Sequence, residues 1–413
     1  MNNQRQTRRY RAAGYHACTS SLGFAVALAL YGIAAPPVHA QATTGSIFGQ
    51  APAAAGGTVK VQNESGVTRQ VAVDASGRYA IGALPLGTYT VTLQRDGQTI
   101  DTRNNVELHV GAGTEVSFAG ANAQNLSAVT VTANSLPAID VTQVDSRTVV
   151  TSQQLARLPL ARSAEAIALL APGAVEGSDT FMGMGMGASS PRKFVSFGGS
   201  SVTENAYYIN GFNTTDPISG FGGLTLPYGS IDQEEILSGG YGAAFGRSDG
   251  GVISQVGKRG TNEWHFGGQL LWKPKALQGD PRDIYYGEGS PKAGQLYWRR
   301  GDNKSTTTTA DAYVGGPLIK DKLYVFASVE AERIQGTGAS SGTPSGAVGS
   351  VTGVSFNLPP SYNNHTRLTD PKWYAKLDWN ITDNNLLEVT GASNKTSYRG
   401  NLYQYDYATG KQG

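Results

Sequence analysis

The sequence predicts a mainly β protein, and three observations carry that expectation. Gly accounts for 54 of the 413 residues and charged residues for 15%, against ~7% and ~25% in typical soluble domains. Each Gly inside a helix costs ~1 kcal/mol, so helical bundles and coiled coils are excluded. Apolar residues recur at every second position in many short runs, the period of a strand with one covered face. Finally, in the C-terminal part these runs are separated by connections that are alternately long and short. The glycines have no period of three, which excludes collagen.

The first forty residues stand apart from this pattern. Arg5, Arg8, Arg9 and Arg11 make a basic start, an apolar run covers 22–35, and Pro36-Pro37-Val38-His39-Ala40 ends it. These are the parts of a secretory signal peptide cut after Ala40, and the run is shorter than the ~20 residues that span a bilayer. Without this segment Lys+Arg falls from 33 to 29 against 31 Asp+Glu, and the net charge moves from +2 to −2. No basic surplus is left to suggest nucleic-acid binding. The single cysteine, Cys18, leaves as well, so disulfides and thiol catalysis are not expected.

Residues 44–120 read as a small β-sandwich. Val59 and Val61 alternate with Lys60 and Gln62, and Tyr89, Val91 and Leu93 alternate with threonines. Asp74 to Gly77 supplies a hairpin turn, Pro85 and Gly87 a second turn, and Asp96-Gly97 a tight hairpin. Tyr79, Ile81, Tyr89 and Val91 are the inward faces. The phrase from Asp74 to Val91 resembles the carboxypeptidase-regulatory-like domain, a transthyretin-like sandwich. No metal or catalytic pair accompanies it here, and a stable periplasmic spacer is expected rather than sugar binding.

A linker at 121–135 contains Leu126-Ser-Ala-Val129-Thr130-Val131-Thr132-Ala133. Small and β-branched residues favour an extended chain, which could add as an edge strand to a partner sheet. It looks like a TonB box, the segment by which TonB grips TonB-dependent outer-membrane transporters.

Residues 136–257 carry Ser163 as a helix N-cap, a short apolar helix over 164–170 stopped by Pro172-Gly173, and Tyr207-Tyr208-Ile209-Asn210-Gly211 as a strand running into a turn. Glu234-Glu235-Ile236-Leu237 through Phe245-Gly246-Arg247 to Gly250-Gly251-Val252 follows, then Lys258 to Trp264. In this order the stretch is similar to the plug domain of TonB-dependent transporters of the Oar-like branch. A plug must hold without ligand and loosen when pulled. Glu234, Glu235 and Arg247 are therefore the candidates for its contact with the barrel, since paired charges hold better than lone ones at such an interface.

Residues 262–413 read as barrel strands. Trp264, Phe266, Leu270 and Trp272 lie on one face of a first strand, with His265 and Gln269 on the other. A second strand covers 306–318. A third carries Leu323, Val325, Ala327 and Val329 outward, with Tyr324, Phe326 and Ser328 opposite. Trp373, Ala375, Leu377 and Trp379 share a face of a fourth, and Leu387 and Val389 begin a fifth. The stretches 273–305 and 334–370 are long, while 319–322 and 382–385 are short. Such alternation is that of a transmembrane barrel with external loops on one side and brief turns on the other. The resemblance implies 22 strands, which need ~220 residues at ~10 each. Only about five fit here, so the expectation is an N-terminal portion (a fragment, split gene or interrupted frame) that forms no pore alone.

The fold class expected is thus mainly β: a transthyretin-like sandwich, an α+β plug, and the first strands of an incomplete transmembrane β-barrel. The resemblance implies energised uptake of a scarce ligand (siderophore, oligosaccharide or peptide) across a Gram-negative outer membrane. It also implies TonB, with the ExbB-ExbD complex, as partner, and places the sandwich and plug on the periplasmic side. The alternative is a soluble periplasmic binding module built on the sandwich. Met182, Met184 and Met186 have no His beside them to complete a copper site. Phe197-Gly-Gly-Ser-Ser lacks the Gly-Lys-Ser/Thr ending of a phosphate loop, and His109, His265 and His365 are scattered. No nucleophile elbow or His-Glu-x-x-His pair occurs, so no enzyme, cofactor or metal is expected.

Overall fold

A computed structural model describes residues 43–52, 57–118, 145–177, 194–246, 248–298, 300–301, 303–339, 348–351, 354–357, 362–382, 385–406 and 411–412. The expected signal peptide, the linker phrase 126–133, the methionines at 182–186 and Arg247 lie outside these residues.

The sandwich consists of β1 (Thr44–Gln50), β2 (Gly57–Asn63), β3 (Thr68–Ala72), β4 (Arg78–Pro85), β5 (Gly87–Arg95), β6 (Gln98–Leu108) and β7 (Gly113–Glu115). One sheet has the order β4-β1-β7 and the other β3-β2-β5-β6. Alternation decides what faces inward: Ile47, Val59, Val61, Tyr79, Ile81, Tyr89, Val91 and Leu93 fill the space between the sheets. Asp74 Oδ1 accepts the N–H groups of Ser76 and Arg78, both at 2.8 Å, and shapes the first turn. Asp96 (φ 51°) and Gly97 (φ 78°) join β5 to β6 in the left-handed geometry that a two-residue hairpin requires. The turn at Pro85–Gly87 does something else: β4 and β5 lie in different sheets, so the chain crosses between layers there.

The plug is a five-stranded sheet flanked by short helices. Its strands are β8 (Ser146–Thr151), β11 (Ala206–Ile209), β12 (Phe212–Asn213), β13 (Ile231–Gly239) and β14 (Val252–Gly257), in the order β12-β11-β14-β13-β8. A separate pair, β9 (Ala174–Glu176) and β10 (Val195–Phe197), lies beside it. Helix α1 (Ser152–Leu155) starts in a reciprocal cap between Thr151 and Gln154. Helix α2 (Ala164–Ala168) starts where Ser163 Oγ accepts Ala166 N–H at 3.2 Å, and ends before the expected position 170. Ile167, Val195, Phe197, Ile236 and Ile253 centre the plug core, which reaches Phe326 and Tyr374 of the next unit.

That unit is a curved wall of long antiparallel strands: β15 (His265–Lys273), β18 (Ser305–Ile319), β19 (Leu323–Ala339), β22 (Tyr362–Thr382), β23 (Asn385–Asn394) and β24 (Ser397–Asp406). The order is β15-β18-β19-β22, and β22 then pairs with β23 along 372–382 and with β24 along 362–369. β23 and β24 are therefore one stave interrupted at 395–396. Pro371, which has no N–H for the ladder, sits at that level and accepts Lys395 N–H at 3.1 Å. Small hairpins, β16 (Ile284–Tyr285) with β17 (Leu296–Trp298) and β20 (Val348–Val351) with β21 (Val354–Asn357), occupy the long connections. The two residues of β25 (Lys411–Gln412) pair with β24.

One expectation is corrected here. The stretch 334–370 is strand at both ends, because β19 continues to Ala339 and β22 begins at Tyr362. At 17 and 21 residues these strands outrun the ~10 a bilayer needs, so their far ends stand clear of any lipid band. The faces, by contrast, fall as expected: Phe266, Leu270, Trp272, Val329, Trp373, Trp379, Leu387 and Val389 are exposed outward, while Tyr324, Phe326 and Ser328 are buried inward. Among the described residues no strand joins β15 to β23 or β24, so the wall is open and forms no closed barrel.

Candidate functional site

The plug meets the wall along two belts of polar side chains that the strand register creates. Gln269 pairs with Asp311, Asp311 with Glu330, Glu330 with Lys372 and Lys372 with Asn394, so adjacent staves each present one polar group at the same height. Arg162, just ahead of the α2 N-cap, enters this row. Its guanidinium donates to Asp311 Oδ2 at 2.7 Å, Glu330 Oε2 at 2.9 Å and Gln269 Oε1 at 2.9 Å. The same group lies 4.8 Å from the centre of the Tyr228 ring, and Tyr228 N–H also donates to Glu330, at 3.0 Å. Lys372 holds the other oxygen of Glu330 at 3.0 Å, and Asn394 donates to Thr225 Oγ1 of the plug at 3.1 Å. One fork thereby ties three staves, using the planar donor geometry that Lys lacks.

The second belt sits where the chain leaves the plug. Arg259 pairs with Asp378 at 2.8 Å and Glu388 at 3.4 Å, and Lys376 joins both carboxylates at 3.5 and 3.2 Å. Asn210 adds a neutral clasp. Its φ of 46° with Gly211 at 81° makes the turn between β11 and β12, which brings its side chain to the wall. There Nδ2 donates to Tyr374 Oη at 3.1 Å and Thr390 Oγ1 at 3.0 Å, while Oδ1 accepts Gly257 N–H at 2.9 Å. Asn210→Gly keeps the backbone shape and removes all three bonds, so a loss of about 2–3 kcal/mol in plug retention is expected. Hydrogen exchange of the β11 and β14 amides checks this.

Glu234 and Glu235, expected against the wall, are partnered elsewhere. Both are buried on β13, a central strand of the plug sheet, and strand alternation sends one to each face. Glu234 is fully buried and accepts Gln255 Nε2–H at 2.7 Å; burial drives its carboxyl far above the usual range, helped by the nearby Glu165. Glu235 points to the opposite face, 3.0 Å from Arg147, which also pairs with Asp145 at 2.7 Å. Burial pushes Glu235 up to about 7, against the pull of Arg147. Its folded-state value exceeds its unfolded one, so the folded plug holds the proton more tightly. The associated stability is complete below about pH 4.5 and lost as pH rises through 7. A fall of order 1–3 kcal/mol between pH 5 and 8 is expected, partly flattened by Glu235→Gln, as read by denaturant midpoints.

Among the described residues, Arg162 and Arg259, which sequence reasoning did not single out, pair with carboxylates of the wall. A signal was present, however: Asp311, Glu330, Lys372, Lys376, Asp378 and Glu388 all occupy inward positions of strands whose outward positions are apolar. Charges so placed need a polar partner inside.

Residues 45–120 match the carboxypeptidase regulatory-like domain and residues 140–253 the TonB-dependent receptor plug domain. The chain thus carries a carboxypeptidase regulatory-like domain followed by a TonB-dependent receptor plug domain. Among curated relatives it is 31% identical to the TonB-dependent transporter Oar of Myxococcus xanthus over 258 residues, 62% of this chain and 23% of that protein. The chain thus spans about a quarter of that relative's length. Among solved structures it is similar to the outer membrane transporter YddB from Escherichia coli (18% identity, TM-score 0.44, 61% of this chain and 33% of that one). It is also similar to a ferric enterobactin receptor from Pseudomonas aeruginosa (14%, TM-score 0.40, 61% and 33%).

Proposed function

We propose that the chain is part of an outer-membrane, TonB-dependent receptor that takes up a scarce external ligand. Its plug closes a barrel until it is pulled. The observation that carries this reading is the registered row Gln269–Asp311–Glu330–Lys372–Asn394, on which Arg162, Tyr228 and Thr225 of the plug are seated. The outward face supports it too. Phe266, Leu270, Trp272, Val314, Trp373 and Val389 expose apolar surface across adjacent staves, a surface suited to lipid and costly in water. The belts balance cations against carboxylates inside the wall, so the interface consists of many bonds of modest strength. It is stable at rest, and it yields when force is applied to one end.

The force would enter at Leu126, Val129, Thr130, Val131, Thr132 and Ala133, taken as an added strand by TonB under the drive of ExbB-ExbD. The linker joins β7 of the sandwich to β8, an edge strand of the plug sheet. Tension there peels β8 from β13. Sandwich and plug would lie on the periplasmic side. Deleting Val129–Ala133 from the complete receptor is expected to abolish co-purification with TonB while leaving the protein in the outer membrane. Undiminished co-purification overturns the assignment of the box, and recovery in the soluble periplasm overturns the receptor.

A further inference from the structure

The sandwich is docked on both the plug and the wall, and a cavity of about 310 Å³ lies at the junction of the three. Its lining combines Asn63, Leu86 and Thr88 of the sandwich, Asp232 and Lys258 at the end of the plug sheet, and Tyr313 of the wall. On the plug side, Gln233 bridges the sandwich backbone twice, accepting Val110 N–H at 3.1 Å and donating to Leu108 O at 2.8 Å. Arg147 donates to Val110 O at 3.1 Å. Leu86 and Val110 do not belong to the sandwich core; they pack on Val256 and Val149 of the plug. On the wall side, Asn380 Nδ2 donates to Ser65 O at 3.2 Å and Asn262 N–H to Glu64 O at 3.3 Å. Gly66, at φ 67°, sits so close to the wall turn that a Cβ would fall 2.7 Å from Asp321 Cα.

We propose that the sandwich is a second gate: it seals the inner mouth of the space between plug and wall, and must undock before anything passes. The anchors straddle the cavity, with residues 64–66 holding the wall and residues 86 and 108–110 holding the plug. Two apolar residues committed to docking, rather than to the sandwich's own core, show a surface built for this seat. Both ends of the linker matter as well. It leaves the sandwich just after Phe118 and enters the plug just before Ser146, so tension on it loads the docked sandwich together with the plug. This inference deepens the receptor reading and rests on it for the direction of passage.

The test uses the complete receptor in outer membranes, in a cysteine-free background carrying Thr261→Cys, a half-buried and nearly isosteric position on the cavity wall. A maleimide attached to polyethylene glycol is admitted to the periplasmic side. Without energy, Leu86→Ser with Val110→Ser should raise the labelling rate at least roughly tenfold. Gln233→Ala, which leaves the sandwich sequence untouched, should do so by removing two buried hydrogen bonds. Protease resistance of the sandwich checks that it remains folded. Equal rates in parent and folded undocked variants overturn the gate, whatever energy does. A second arm compares energised cells with cells given a protonophore. Faster labelling of the parent under energy supports gate and receptor together. If the undocked variants label faster and energy changes nothing, the seal stands and energised uptake falls.

Discussion

Arg162→Ala is expected to lower plug retention by about 2–4 kcal/mol. The substitution leaves Asp311 without its cation and removes one of the two that hold Glu330. Breaking a buried pair from one side costs about 3–5 kcal/mol; the lower figure allows for the partial solvent access of Arg162 and Asp311. Arg162→Lys should recover only part, because a single ammonium cannot reach Gln269, Asp311 and Glu330 at once. Hydrogen exchange at Ala166 to Leu169 reads the effect directly. A double-mutant cycle with Glu330→Gln should give a coupling energy above about 1 kcal/mol, whereas additive effects would separate Arg162 from the latch.

Gly260→Ala is the second large effect. A Cβ at this position would lie 2.6 Å from Val325 O and 2.8 Å from Gly316 O. Both are backbone atoms of staves hydrogen-bonded to each other, so neither can swing aside as a side chain could. The exit segment of the plug must then lift away from the wall. Arg259, one residue earlier, loses its 2.8 Å reach to Asp378, and Ser65 Oγ loses Gly260 O. Overpacking costs about 1–3 kcal/mol, and the lost bonds add to it. Gly239→Ala meets nothing within 4 Å and serves as the near-neutral control. If both variants denature at the same midpoint, the close seat of residue 260 is not a determinant of stability.

Local pattern made much of the fold legible in the sequence. Period-2 alternation identified the inward Val59, Val61, Tyr89 and Val91 and the outward Phe266, Leu270 and Trp272, because a strand has only two faces. Asp96-Gly97 and Asn210-Gly211 announced turns, because few residue pairs tolerate two positive φ values in succession. The site was less legible. Arg162 reads as a loop charge beside a helix cap, and nothing local shows that Asp311 and Glu330, some 150 residues later, stand beside it. Glu234 and Glu235 misled for the opposite reason: adjacent carboxylates read as charges for the barrel contact, yet a central strand sends one to each buried face. Asn210 was seen as a turn former, while its bonds to Tyr374 and Thr390 depend on a register fixed far along the chain. The extension of β19 to Ala339 and the start of β22 at Tyr362 were hidden by polar residues, which are tolerated where a strand has left the lipid.

Pulling on the linker of the complete receptor, held in a supported outer-membrane bilayer, tests the central claim most directly. The account predicts stepwise release, the sandwich before the plug, with the wall left in the bilayer and the plug step weakened by Arg162→Ala. Extraction of wall strands together with the plug, or a plug step that Arg162→Ala leaves unchanged, would contradict it.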